Sequence, residues 1–160
     1  MKKQLLPLSL VVFLSVSCNK KNDPAPSLSL EQIITNAKGW VLSAATINPP
    51  IQVQGLPPIS DFLLAIEDCD KDDVTFFLVG GQFKIDEGAT KCDESGAQVK
   101  LEGTWEFNSN KTAIPVAPGS EDTYTMTISE LNATTLKVSE PFDFGTGTTY
   151  TVTLTYSAIK

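Results

Sequence analysis

Residues 67–73, Glu-Asp-Cys-Asp-Lys-Asp-Asp, put five carboxylates and one cysteine into seven positions, directly ahead of the apolar run from Val74 to Val79. Oxygen ligands at every second position are what a calcium loop uses, and Asp68, Asp70 and Asp72 match the first half of an EF-hand loop. The second half does not follow. Asp73 stands where that loop needs a glycine for its sharp turn, and Val79 stands where a bidentate glutamate would close the coordination sphere. The stretch therefore reads as a solvated acidic turn in front of a strand, with calcium at Asp68, Asp70 and Asp72 as the competing assignment. Asp86, Glu87, Asp93 and Glu94 join the same lip if Cys69 is bonded to Cys92.

The residue types that are missing narrow the chemistry further. The chain has no histidine and no arginine. A Ser-His-Asp or Cys-His nucleophile pair, a histidine-rich zinc site and a bidentate arginine clamp are thus unavailable. A glycosidase needs two carboxylates at a defined separation, but 19 acidic residues make some such pair inevitable, so the count carries no information. Neither a nucleophile elbow nor a metal motif is present. The expectation is a protein that is not an enzyme and uses no cofactor. A formal net charge of −7 also argues against a nucleic-acid partner, because phosphates demand clustered positive charge.

The first residues bear on location. Lys2 and Lys3 precede a mostly apolar stretch from Leu5 to Ser17, which has the shape of a secretory signal peptide and is short for a bilayer span. Leu14-Ser15-Val16-Ser17-Cys18 resembles a bacterial lipobox, so residues 1–17 are expected to be removed and Cys18 to be lipidated; a plain cleaved signal is the alternative. Residues 18–28, with prolines and polar side chains, then form a flexible tether reaching at most ~35 Å. Residues 29–160 form one domain. The basic Asn19-Lys20-Lys21 favours a periplasm-facing protein on the outer membrane. With Cys18 acylated, Cys69 and Cys92 remain and are expected to pair in an oxidising compartment. That bridge would stabilise the fold by roughly 3 kcal/mol on the chain-entropy account; two separate buried thiols are the alternative.

The elements that must position these groups follow from periodicity. Leu30, Ile33, Ile34 and Ala37 share a helical face, with Ser29 and Gln32 spaced as a capping box and Gly39 as the stop. A second short helix is expected over 60–67, after a proline-rich loop at 48–58. From Asp73 the period becomes two. Tyr124, Met126 and Ile128 share one face against Thr123, Thr125 and Thr127, and Tyr150, Val152, Leu154 and Tyr156 oppose four threonines. Strands are expected at 40–47, 73–79, 82–87, 101–107, 111–116, 122–130, 134–140 and 147–157. Such an all-β meander buries its apolar face by closing into an eight-stranded up-and-down barrel with one or two short helices near its N-terminus; an open β-sandwich is the alternative. Phe76, Phe83, Trp105, Phe107, Tyr124, Tyr150 and Tyr156 are expected to face inward. A ligand wall of Trp105, Tyr124, Met126, Tyr150 and Tyr156 is one use for them, and simple filling of the barrel is the other.

The order of these features, a short helix leading into Gly39-Trp40, CDKDD before the first hairpin, DEGATKC after it, then GTWEF and ELNATTL, is similar to that of small bacterial lipocalin-like lipoproteins. The likeness spans residues 30–160. It implies an eight-stranded lipocalin-like barrel whose closed end is plugged by the Trp40 indole, and it implies no defined reaction. The expected function is a membrane-anchored protein, held by the lipid at Cys18, that binds a small hydrophobic or amphipathic molecule. A packed barrel acting as a cell-envelope interaction module is the alternative.

Overall fold

The capping residues read from the sequence set the first element. In the computed structural model, which describes residues 27–119, 123–145 and 147–160, helix α1 runs over Leu30–Asn36 and opens on a complete capping box. The Gln32 amide donates to Ser29 Oγ at 3.2 Å, and the Ser29 amide donates to Gln32 Oε1 at 2.9 Å. Ile34 is fully buried beneath the helix. The Trp40 indole N–H donates to the Ile34 carbonyl at 3.0 Å, tying the helix to the strand that follows. Between them Gly39 is irreplaceable on steric grounds, since a Cβ there would strike Val74 Cγ1. The lipidation site, signal peptide and most of the tether lie outside the described residues.

Nine strands follow: β1 (Trp40–Ile51), β2 (Ile59–Asp61), β3 (Val74–Leu78), β4 (Gln82–Asp86), β5 (Val99–Trp105), β6 (Ala113–Pro118), β7 (Tyr124–Leu131), β8 (Thr135–Asp143) and β9 (Thr149–Ala158). From β3 to β9 each strand pairs antiparallel with the next. The last strand then returns to the first, from Trp40↔Ala158 to Asn48↔Thr151. Eight strands thus close into an up-and-down barrel, and the open sandwich is set aside. The join between β1 and β3 is short, with only Trp40↔Thr75 and Val41↔Val74 in register. Farther along, β1 exchanges β3 for β2, through Thr46↔Asp61 and Ile51↔Ile59.

Three expectations need correction. The proline-rich segment does not leave the sheet at residue 48: β1 continues through Pro49 and Pro50 to Ile51, with a cis Asn48–Pro49 peptide. Prolines are tolerated there because β1 has run past its ladder with β9. Over 60–67 the structure forms the end of β2 and a 3-10 turn at Phe62–Ala65, whose Leu63 amide donates to Asp61 Oδ1 at 3.1 Å, in place of an α-helix. Finally, Phe77 and not Phe76 faces the core. The run Val74–Val79 is apolar on both faces, so alternation could not set its parity; Phe76 lies outside, under the Lys84 ammonium at 4.3 Å from its ring centre.

Alternating strand directions sort the connections into two ends. One end gathers α1, the Val79–Gly81 turn, the β5–β6 loop and the β7–β8 turn. The other gathers residues 52–73, the β4–β5 loop and the turns after β6 and β8. The first end is plugged by Ile34, Trp40, Phe77, Phe83, Trp105 and Ile114, all buried in one cluster.

Candidate functional site

At the open end the acidic stretch is tied down by its own surroundings. The disulfide Cys69–Cys92, with its Cα atoms 5.2 Å apart, clamps the stretch to the β4–β5 loop. Asp72 Oδ2 accepts from the Ala89 and Thr90 amides at 2.9 Å each. Glu87, buried, accepts from the Cys92 amide at 3.0 Å. Lys100 ion-pairs with Asp70 and, at 3.2 Å, with Asp73. Burial pushes the Asp73 carboxyl above its usual range, against the opposing pull of Lys100. Asp68 is 96% exposed and holds only Lys71.

Thus the calcium trio does not gather: Asp68 points to water, Asp70 to Lys100 and Asp72 to loop amides. The described residues do bring the side chains of Glu67, Cys69, Asp70 and Cys92 within 4.8 Å of one another. Both sulfurs are spent on the disulfide, so no thiolate is left to bind an ion.

Inside the barrel, register assigns each side chain to a face, because directly opposed residues of an antiparallel pair point the same way. Trp105 and Met126 are 6% and 4% exposed and belong to the core. The Trp105 indole donates to the Leu78 carbonyl at 3.1 Å, and its ring meets Phe77 and Phe107 edge-on, with centroids 5.4 Å away in each case. These two expected wall residues fill the plugged half. Tyr124, Tyr150 and Tyr156 are different. They share the inward face and are only half-buried.

Tyr156 is the most informative of them. It stands opposite Leu42 on β1 and Leu136 on β8. Desolvation pushes its phenol well above the usual range, and the charges of Tyr124 and Glu140 add to the shift. Its ring packs against the core cluster, as do Tyr124 and Leu154. Leu154, one inward position nearer the mouth and opposite Ala45 and Val138, is likewise only half-buried. Half-buried inward side chains thus run along β7 and β9 beside the buried Leu136, Val138 and Val152.

Glu140 is the functional candidate that sequence reasoning missed. It lies directly opposite the buried Val152, so its carboxylate faces inward. Burial raises its pKa above the ordinary carboxylate value. The signal was present: Leu136, Val138, Glu140 and Phe142 occupy alternate positions, and extending the apolar face two residues past Val138 lands on the acid.

Above Glu140 the mouth carries an aromatic rim. Phe144 packs against Phe142, Tyr150 and Phe62 at centroid separations of 4.6, 5.3 and 6.2 Å, and Phe142 and Phe144 stay exposed. A separate open groove of about 580 Å³ lies at the plugged end, outside the barrel, between α1 and the β3–β4 and β5–β6 connections. The Lys111–Glu31 ion pair, at 2.8 Å, closes its rim. No protein-family model and no curated protein sequence matches this chain.

Proposed function

We propose that this protein is a lipid-anchored, non-catalytic carrier that binds a small hydrophobic or amphipathic molecule in the mouth-side half of its barrel. The observation that carries the reading is the set of half-buried inward side chains that leads up from Tyr156 through Leu154 to Glu140 and Tyr150 at the mouth. Aromatic side chains from the mouth inward, Phe144, Tyr150, Tyr124 and Tyr156, supply apolar walls with polar tips, the lining usual for such sites. Trp105 and Met126 form the floor beneath the guest. In this reading the lipid sits on Cys18, the barrel belongs to the bacterial cell envelope, and it faces the periplasm from the outer membrane.

Native mass spectrometry of the protein purified from its own host tests the carrier reading, with a retained small molecule as the expected result. Leu154→Trp, which fills the inferred space, should eliminate that retained mass. Retention undiminished in this variant would move the guest elsewhere. Labelling with an alkyne fatty acid tests the anchor: label should be lost in Cys18→Ser.

A second reading is favoured by the apolar surface around the mouth, where Leu56, Leu64, Phe142 and Phe144 are exposed. A patch of this kind suits an interaction module whose interior holds nothing. No retained guest, together with a partner crosslinked through Phe144, is the outcome that selects it.

A further inference from the structure

Glu140 gives the interior a sign. Among the inward positions of β7, β8, β9 and β1 it is the one charged side chain; the others are aliphatic or aromatic. None of the described residues offers it a hydrogen bond or an ion pair, and no lysine shares its face. Glu140 is half-buried, and covering its carboxylate further without a cation is costly, whereas a guest that brings the cation offsets that cost. Its neighbours suit the same guest. Tyr156 lies within its field, and the rim above carries the rings of Phe142, Phe144 and Tyr150, side chains of the type on which an ammonium group rests favourably. Outside, the acidic stretch and the β4–β5 loop belong to the same open end, where Lys100 pairs with Asp70 and Asp73, and the chain as a whole is negative.

We infer that the guest is an amphipath with a cationic amine head, held by Glu140 at the mouth side of the barrel, and not a fatty acid or other anionic lipid. The inference rests on the carrier reading above and adds the charge of the head group. The apolar tail runs downward along Leu154, Tyr156 and Val138 toward the plugged end.

Isothermal titration of the purified protein with decylamine, 1-decanol and decanoate at neutral pH tests it, because the three share a tail and differ only in the head. The expected order is amine, then alcohol, then acid, with about a tenfold advantage of amine over alcohol, the size of one charge-assisted hydrogen bond in a sheltered site. Glu140→Gln, which keeps shape and volume, should bring decylamine to the level of decanol and leave decanol unchanged. Glu102→Gln, on the outward face of β5, should leave all three as they were. Equal binding of the three, or preference for decanoate, overturns the amine assignment while leaving the carrier reading intact. An amine preference that survives Glu140→Gln overturns the role of Glu140. Binding of none of the three, in protein whose melting curve is intact, overturns the carrier reading and this inference with it.

Discussion

Trp40, fully buried, and Glu140, half-buried, govern the molecule in two different ways. The Trp40 ring is fully buried at the plugged end, and its N–H donates to the Ile34 carbonyl of α1 at 3.0 Å. Trp40→Phe removes that donor and leaves a small void, two costs that add. We expect a loss of about 2–3 kcal/mol in urea unfolding; a loss under about 0.5 kcal/mol would show that the indole is not the plug. Glu140 acts in the opposite direction. Burial lifts its carboxyl above the ordinary value, so between the two values the folded chain holds a proton that the unfolded chain has released. Stability therefore falls as pH rises through that window, and the penalty is complete above it. Glu140→Gln escapes the penalty. Without ligand it should melt higher than the parent at pH 7, and the gap should close by about pH 3.5, below both values. A gap independent of pH would mean that the carboxylate is not desolvated.

At the scale of elements, the barrel is unevenly closed. The β1–β9 and β8–β9 ladders are long, whereas β1 and β3 share two residue pairs before β2 takes over. Local opening begins where the fewest bonds must break. Native-state hydrogen exchange should find the β3 amides that face β1 protected least among the barrel strands, and protection equal to that of β9 would refute the seam. Removing the disulfide with Cys69→Ser and Cys92→Ser frees a separation of 23 residues and should cost about 3 kcal/mol in urea unfolding while leaving the far-ultraviolet circular dichroism of the barrel in place.

The sequence made these ladders legible wherever one face was apolar and the other hydroxylated, as in β7 and β9, because a slip of one residue would bury threonines. It was ambiguous at Val74–Val79, where both faces are apolar, and Phe76 was assigned inward in place of Phe77. It was silent on β2, whose three residues are too few for a period. The cysteine pairing was readable once Cys18 was set aside for a lipid, which leaves two of the three cysteines. The acidic lip was readable as a turn, but its hydrogen bonds from Asp72 to residues 89 and 90 depend on a long-range fold that composition does not encode. Within the candidate site, the three tyrosines followed from alternation, while Trp105 and Met126 shared that alternation and still ended in packed core. Depth along the barrel axis is set by register across all strands, and one strand's pattern does not contain it.

The whole molecule has a direction. Carboxylates of the acidic stretch crowd the mouth, and the chain's net charge of −7 extends their field into solvent. A cationic amphipath is therefore drawn toward the opening, and its association rate should fall as salt rises from about 20 to about 300 mM, over which the Debye length shrinks several-fold. The rate for 1-decanol should stay constant under the same change. Stopped-flow fluorescence measures both, and identical salt slopes would remove electrostatic steering from the account. The other directional feature is the position of α1, where the described chain begins, on the plugged side of the barrel. A moored vessel with its stern to the quay keeps its bow clear: with an acyl group on Cys18, the link to the lipid reaches the barrel at the end away from the entrance, which stays open to cargo arriving through the aqueous space.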